Sequence, residues 1–187
     1  LAEQARQYLP DSTYPAKMYD FVKAAYDSGI PWEETRDRVY QRYQVEQMDG
    51  YELTSRDLYC NGCYAAGINF AASLVSLFYG EGDLNETIKI GALTGWDSDN
   101  PTATWGGLLG FMLGKDGVEN AFGRKFSEQY NIHRTRQNFP NDGIDTFDHM
   151  ADTGIAIIDM VVSNMMGGTA ENDSDSWKLP ADAVIPK

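Results

Sequence analysis

Apolar residues recur at helical spacing along nearly the whole chain. Met18, Phe21, Val22 and Ala25 follow the i, i+3, i+4, i+7 rhythm behind Ser12 and Thr13, and Gly29 supplies a stop. A second helix is predicted from Pro31, which suits a first turn, with Glu33 and Glu34 at the positive end of the helix dipole and the pattern running to about Tyr43. Residues Ala65 to Tyr79 are apolar on all sides, the pattern of a central buried helix. Asp83 and Glu86 then form a capping-box-like pair for a helix from Leu84 to Leu93. Another helix is predicted from Pro101 to about Leu113, with Asn100 as its N-cap. Its small residues Ala103, Gly106, Gly107 and Gly110 predict close approach by a neighbouring helix. The last helix, from about Phe147 to Met166, carries Ile158, Val161, Val162 and Met165 on one stripe and ends at Gly167-Gly168.

Between these elements lie a polar loop from Gln44 to Asn61 and, after the last helix, an acidic Ser-rich linker. Trp177-Lys178-Leu179-Pro180 is an aromatic anchor in a tail, 168–187, that otherwise reads as irregular. No internal repeat is evident. The reading is one all-α domain over residues 1–187.

Composition narrows the partners. Hydrophobic residues at 42%, 12% of the chain being aromatic, suffice for a core in 187 residues. A formal charge of −13 argues against nucleic acid and anionic membrane surfaces. The longest apolar run, Ala65 to Tyr79, contains Asn69 and Ser73 and is too short to span a bilayer. Cys60 and Cys63 form a C-x-x-C pair with no second pair of ligands, which fits part-buried thiols better than zinc or redox chemistry. Asn85-Glu86-Thr87 and Asn172-Asp173-Ser174 are formal glycosylation triplets of a kind that arises by chance. The compartment is left open.

The richest chemistry lies in Gly95-Trp96-Asp97-Ser98-Asp99-Asn100-Pro101. Asp97 and Asp99, two apart in a turn, can aim their oxygens at one point, and oxygen-only ligands suit Mg²⁺, Mn²⁺ or Ca²⁺ rather than zinc. The same residue types also serve any turn that precedes a helix, so a capping turn and a metal site both fit. An EF-hand is excluded, because Thr102 stands where its glycine belongs and Leu108 where its bidentate Glu belongs. His133-Arg134-Thr135-Arg136 places two arginines that could clamp a diphosphate or form ordinary ion pairs. Asp145, Asp148 and Asp152 near the start of the last helix are explained by its dipole.

The stretch from Cys60 to Gly114, above all Gly-Trp-Asp-Ser-Asp-Asn followed by the small-residue helix, resembles the C-terminal signature of the ADP-ribosylglycohydrolase family. That signature usually reads Gly-Gly-Asp-Thr-Asp-Thr/Ser before an Ala- and Gly-rich helix. The order of upstream helices and Glu81-Gly82-Asp83-Leu84 is also similar, so the resemblance covers most of the chain, loosely outside Cys60 to Gly114. It implies an orthogonal multi-helix fold. It also implies hydrolysis of an N- or O-glycosidic bond to ADP-ribose with two Mg²⁺ or Mn²⁺ ions. Asp97, Asp99 and Asn100 would be metal ligands, with Asp99 bridging. Ser98 beside them and the Arg134/Arg136 pair are read, from their own residue types, as contacts to the ADP-ribosylated substrate or a related nucleotide-sugar.

Two residues depart from the signature: Trp96 replaces the second glycine, and Asn100 replaces a hydroxyl residue, although its side-chain carbonyl can still ligate. The Gly-Asp-Ala and Thr-Asp-Asp elements that supply the family's other metal ligands, together with its catalytic acidic residues, do not occur here. The chain opens at Leu1 on what reads as mid-helix, so it is expected to be the C-terminal portion of a larger domain or one product of a cleavage. Its partner would be the N-terminal half of the same domain, and by itself it is expected not to turn over substrate. The alternative is a non-catalytic ligand-binding or structural module, as in lens crystallins of the same family.

Overall fold

The structure is a computed structural model that describes residues 2–52, 64–132, 139–171 and 176–181. Helices carry it, as the periodicity predicts: α1 (Ala2–Arg6), α2 (Tyr14–Asp27), α3 (Trp32–Val39), α4 (Ala66–Gly80), α5 (Leu84–Thr94), α6 (Asp99–Phe122) and α7 (Phe147–Asn164). The strands are two short antiparallel pairs, β1 (Gln129–Asn131) with β2 (Ile144–Thr146) and β3 (Thr169–Glu171) with β4 (Ser176–Lys178). The chain divides into two compact units, Leu1–Arg124 and Lys125–Lys187.

In the first unit α4 is the central helix that its apolar sequence predicts. Ile68, Ala71, Leu74 and Val75 are buried on its different faces, and Met18 and Val22 of α2, Val39 of α3 and Ile90 of α5 close around them. Each fully buried aliphatic side chain contributes about 1.5–3 kcal/mol relative to exposure. The α2 stop forms as expected: Gly29 has φ +69°, its N–H bonds Tyr26 O at 2.9 Å, and Ile30 N–H bonds Ala25 O at 3.2 Å. Two polar contacts fix the α2–α3 corner, where the Tyr79 hydroxyl donates to Ile30 O at 2.6 Å and, its proton spent, accepts from Thr35 Oγ1 at 2.7 Å.

Four sequence expectations change. First, the helix opened by Pro31 leaves α geometry at Val39 and continues as a π-helical turn over Tyr40–Val45, whose wider turn puts Tyr43 in the core and Tyr40 partly in solvent. The Arg42 guanidinium closes this turn on Asp49 with bonds of 2.9 and 3.0 Å, and the Tyr43 hydroxyl adds a third at 3.0 Å. Second, half of the capping box forms: Asp83 accepts from Glu86 N–H at 2.8 Å, but Glu86 pairs with Lys89 while the Asp83 N–H bonds Gly80 O.

Third, α6 starts at Asp99, not after Asn100. Asn100 therefore lies inside the first turn rather than capping it, and Ser98, at the cap position, makes no side-chain capping bond. The helix breaks at Gly114 (φ 66°, ψ 173°), near its predicted end, and a second stretch continues to Phe122. Fourth, the glycines that permit close approach between helices are not the predicted Gly106, Gly107 and Gly110. A Cβ on Gly107 would meet nothing and one on Gly106 only Ile88 at 3.6 Å. On Gly80, by contrast, it would lie 2.7 Å from the Thr87 Cα, and on Gly91 it would lie 3.1 Å from Ser76 Oγ and Thr102 Cγ2. The α4–α5–α6 approach is set by Gly80 and Gly91.

In the second unit the β1–β2 pair leads directly into α7, whose N-cap Thr146 accepts from His149 N–H at 3.1 Å. The tail read as irregular pairs instead as β3 and β4, and Trp177 is the anchor expected of it, its indole N–H donating to Asp159 Oδ1 at 2.7 Å. Three-residue strands leave no alternation long enough to see in the sequence. The α7 stripe is helical as predicted, with Val162 buried, whereas Ile158 and Met165 are 43% and 60% exposed.

The Arg42–Asp49 pair carries a pH prediction. Burial raises the Asp49 carboxyl, but bonds from Arg42 and Tyr43 outweigh it and hold the group below its ordinary value. A depressed folded-state value means that this stabilisation is present above the unfolded carboxylate value and is lost as pH falls through the folded one. Asp49→Asn is therefore expected to be less stable than wild type at pH 7 and to lose less on acidification from about pH 5 to about pH 3. Urea midpoints at the two pH values check this, and equal acid losses in the two proteins would contradict it.

Candidate functional site

Between α5 and α6 the backbone turns through three consecutive residues of positive φ: Gly95 (+84°), Trp96 (+52°) and Asp97 (+64°). For Gly95 this is free, while each side-chain-bearing residue in left-handed geometry costs about 1–2 kcal/mol, less for Asp. The turn ends as Asn100 N–H bonds Asp97 O at 3.0 Å, and Pro101, buried in the first turn of α6, needs no N–H partner there. The Thr102 hydroxyl caps from behind, donating to Ser98 O and Asp99 O at 2.9 Å.

The result brings the Asp97 and Asp99 carboxylates within hydrogen-bonding reach of one another at an exposed helix start. Desolvation, and then the hydrogen bond and charge of Asp99, push the Asp97 carboxyl above its ordinary value. Two carboxylates so placed repel unless a proton or a cation lies between them. Ser98 is half-buried beside them, and Asn100 is exposed on the first turn with its amide available. The donor set is all oxygen, which fits a hard divalent cation. Among the described residues no group of three or more His, Cys, Asp or Glu side chains is gathered where it could hold a metal ion.

Arg134 and Arg136, read as substrate contacts, lie outside the described residues, as do Cys60 and Cys63. Asp145 behaves as a structural acid: Thr146 N–H, then the His149 ring and the Tyr130 hydroxyl, hold it below its ordinary value at the start of α7.

Two contributors escaped the sequence reading. Asn69 of α4 donates from one amide nitrogen to Trp96 O at 2.9 Å and Asp97 O at 3.1 Å. Tyr40 stacks on Trp96 with ring centroids 5.7 Å apart and planes at 18°. The sequence signal for Asn69 was a single amide in an otherwise apolar helix. The indole of Trp105 fixes α6 to the same stretch of α4, donating to Ser73 O at 2.9 Å. Trp96, where the family signature has glycine, is thus accommodated by packing on Tyr40 and the edge of the core.

No curated protein and no solved structure matches the chain. The ADP-ribosylglycohydrolase family model matches residues 2–149, which takes in the helices α1 to α6 and the turn bearing Asp97 and Asp99. With most of its length matched and its helices in place, the chain belongs to the ADP-ribosylglycohydrolase family.

Proposed function

We propose that this chain takes part in metal-dependent removal of ADP-ribose from a modified protein or small molecule, by cleaving an N- or O-glycosidic bond, and that it supplies part of a binuclear Mg²⁺ or Mn²⁺ site. Family membership supports hydrolysis of ADP-ribose linkages at the coarse level. The observation that carries the finer reading is the pairing of the Asp97 and Asp99 carboxylates at one exposed turn. In this reading Asp97 and Asp99 would hold the cations, and Asn100 would support them through its amide oxygen. A bound cation would supply positive charge that fixes ribose hydroxyls and acidifies water.

The chain's own residues divide the remaining work. The turn holds two carboxylates at one place, so a ribose is oriented there rather than merely bound. Ser98 offers a hydroxyl beside them, and Arg134 and Arg136 are proposed to meet the diphosphate. The general acid or base is expected among the acidic residues that the family carries elsewhere in its domain.

A second reading, a non-catalytic module that keeps the fold, is favoured by Trp96 and Asn100 at signature positions. One assay separates them. Release of ADP-ribose from an ADP-ribosylated protein, abolished by EDTA and restored by Mg²⁺ or Mn²⁺, is expected of the polypeptide that combines this chain with a Thr-Asp-Asp element. Metal binding by that polypeptide without any turnover would select the non-catalytic module.

A further inference from the structure

We infer that Asn69, together with the stacked Tyr40 and Trp96, positions the Asp97 and Asp99 carboxylates for a divalent cation, an inference that rests on the metal reading of this turn. Two adjacent side-chain-bearing residues in left-handed geometry do not hold themselves there, and what holds them comes from elsewhere in the fold. The Asn69 amide reaches across from the central helix and bonds both of their carbonyls, at 2.9 and 3.1 Å. Asn69 is itself placed on a helix buried along its length, and the Ser73 hydroxyl bonds its carbonyl at 2.8 Å. From the other side Tyr40 supports the Trp96 ring at 5.7 Å, and Tyr40 begins the π-helical turn that Arg42 and Asp49 lock.

Asn69 engages the turn through its amide nitrogen and Tyr40 through its ring. They act on where the carboxylates point. A turn held in its binding shape before the ligand arrives spends less of the binding energy on ordering, so loosening it weakens affinity without removing a ligand. Outer-shell partners of metal ligands change affinity by about 10- to 100-fold when removed.

The test titrates Mn²⁺ alone by calorimetry into the polypeptide that completes the domain, as wild type and as the variants Asn69→Ala, Tyr40→Ala, Tyr40→Phe and Asp99→Ala, each well below its own melting temperature. Wild type and Tyr40→Phe are expected to bind alike, because a phenyl ring preserves the stack. Asn69→Ala and Tyr40→Ala are expected to bind about tenfold more weakly or worse. Should Asn69→Ala not fold, the two Tyr40 variants carry the comparison. If Asp99→Ala loses binding while Asn69→Ala and Tyr40→Ala keep wild-type affinity, the positioning inference is overturned and the metal reading stands. If the wild-type protein does not bind Mn²⁺, the metal reading falls and this inference with it.

Discussion

Tyr43→Ala is expected to lower the stability of the first unit by about 3–5 kcal/mol, the range for deleting a fully buried aromatic ring. Tyr43 is 0% exposed, stands edge-on to Phe21 and Tyr51 at 6.0 Å, and donates to Asp49 Oδ2. Its loss would empty a ring-sized volume at the π-helical turn and leave Asp49 one donor short. Tyr43→Phe separates the two effects: it keeps the ring, removes the bond, and is expected to cost about 1 kcal/mol. Urea midpoints at an unchanged slope are the measurement. A cost for Tyr43→Ala no larger than that for Tyr43→Phe would mean that the turn collapses over the gap and is not a pillar of the core.

In the polypeptide that completes the domain, removing either converging carboxylate is expected to weaken Mg²⁺ or Mn²⁺ binding by more than tenfold, while Asp148→Ala leaves it alone. Asp148 sits in the first turn of α7, where a negative charge interacts with the helix dipole. For Asp97 the cleaner change is to Asn, which tolerates left-handed geometry nearly as well and deletes only the charge. Because Asp97 and Asp99 repel one another in the absence of a cation, Asp97→Asn carries a second signature. Its melting temperature in metal-free buffer should match or exceed that of wild type, while the increment added by Mg²⁺ shrinks. Calorimetry and melting curves with and without the metal read both. Equal metal affinity in the Asp97, Asp99 and Asp148 variants would return this turn to a plain helix start.

What the sequence made legible follows the range of the forces involved. The helices are local: Met18, Val22 and Ala25 announce α2 by their spacing, and the unbroken apolar stretch announces α4 because no polar face is left to turn outward. The carboxylate pair is local as well, two residues apart in one turn. The rest depends on partners that periodicity does not encode. Gly106 and Gly107 looked like a packing face because small residues permit close approach, but permission needs a neighbour, and the crowded glycines are Gly80 and Gly91. The π-helical turn is fixed by Asp49 seven residues after Arg42, and the Trp96–Asp97 carbonyls by an amide 27 and 28 residues earlier. Asn100 was read as a cap because its residue type suits that place, yet the left-handed run at Trp96 and Asp97 lets the helix begin two residues sooner.

The interruption of α6 at Gly114 separates what the two halves of that helix are fastened to. Its first half is held to α4 and α5 through Trp105 and the Thr102–Gly91 contact, and its second through Asn85, whose amide donates to Ala121 O at 2.6 Å. Between these anchorages Phe111 and Met112 are 88% and 65% exposed, and the backbone leaves helical geometry at Gly114. Foreign sequence spliced in at Gly114 would meet solvent and an existing discontinuity, not a stressed lattice of contacts. Gly114 is therefore where a tag or an inserted domain is expected to be tolerated, half a helix away from the acidic turn at the start of α6.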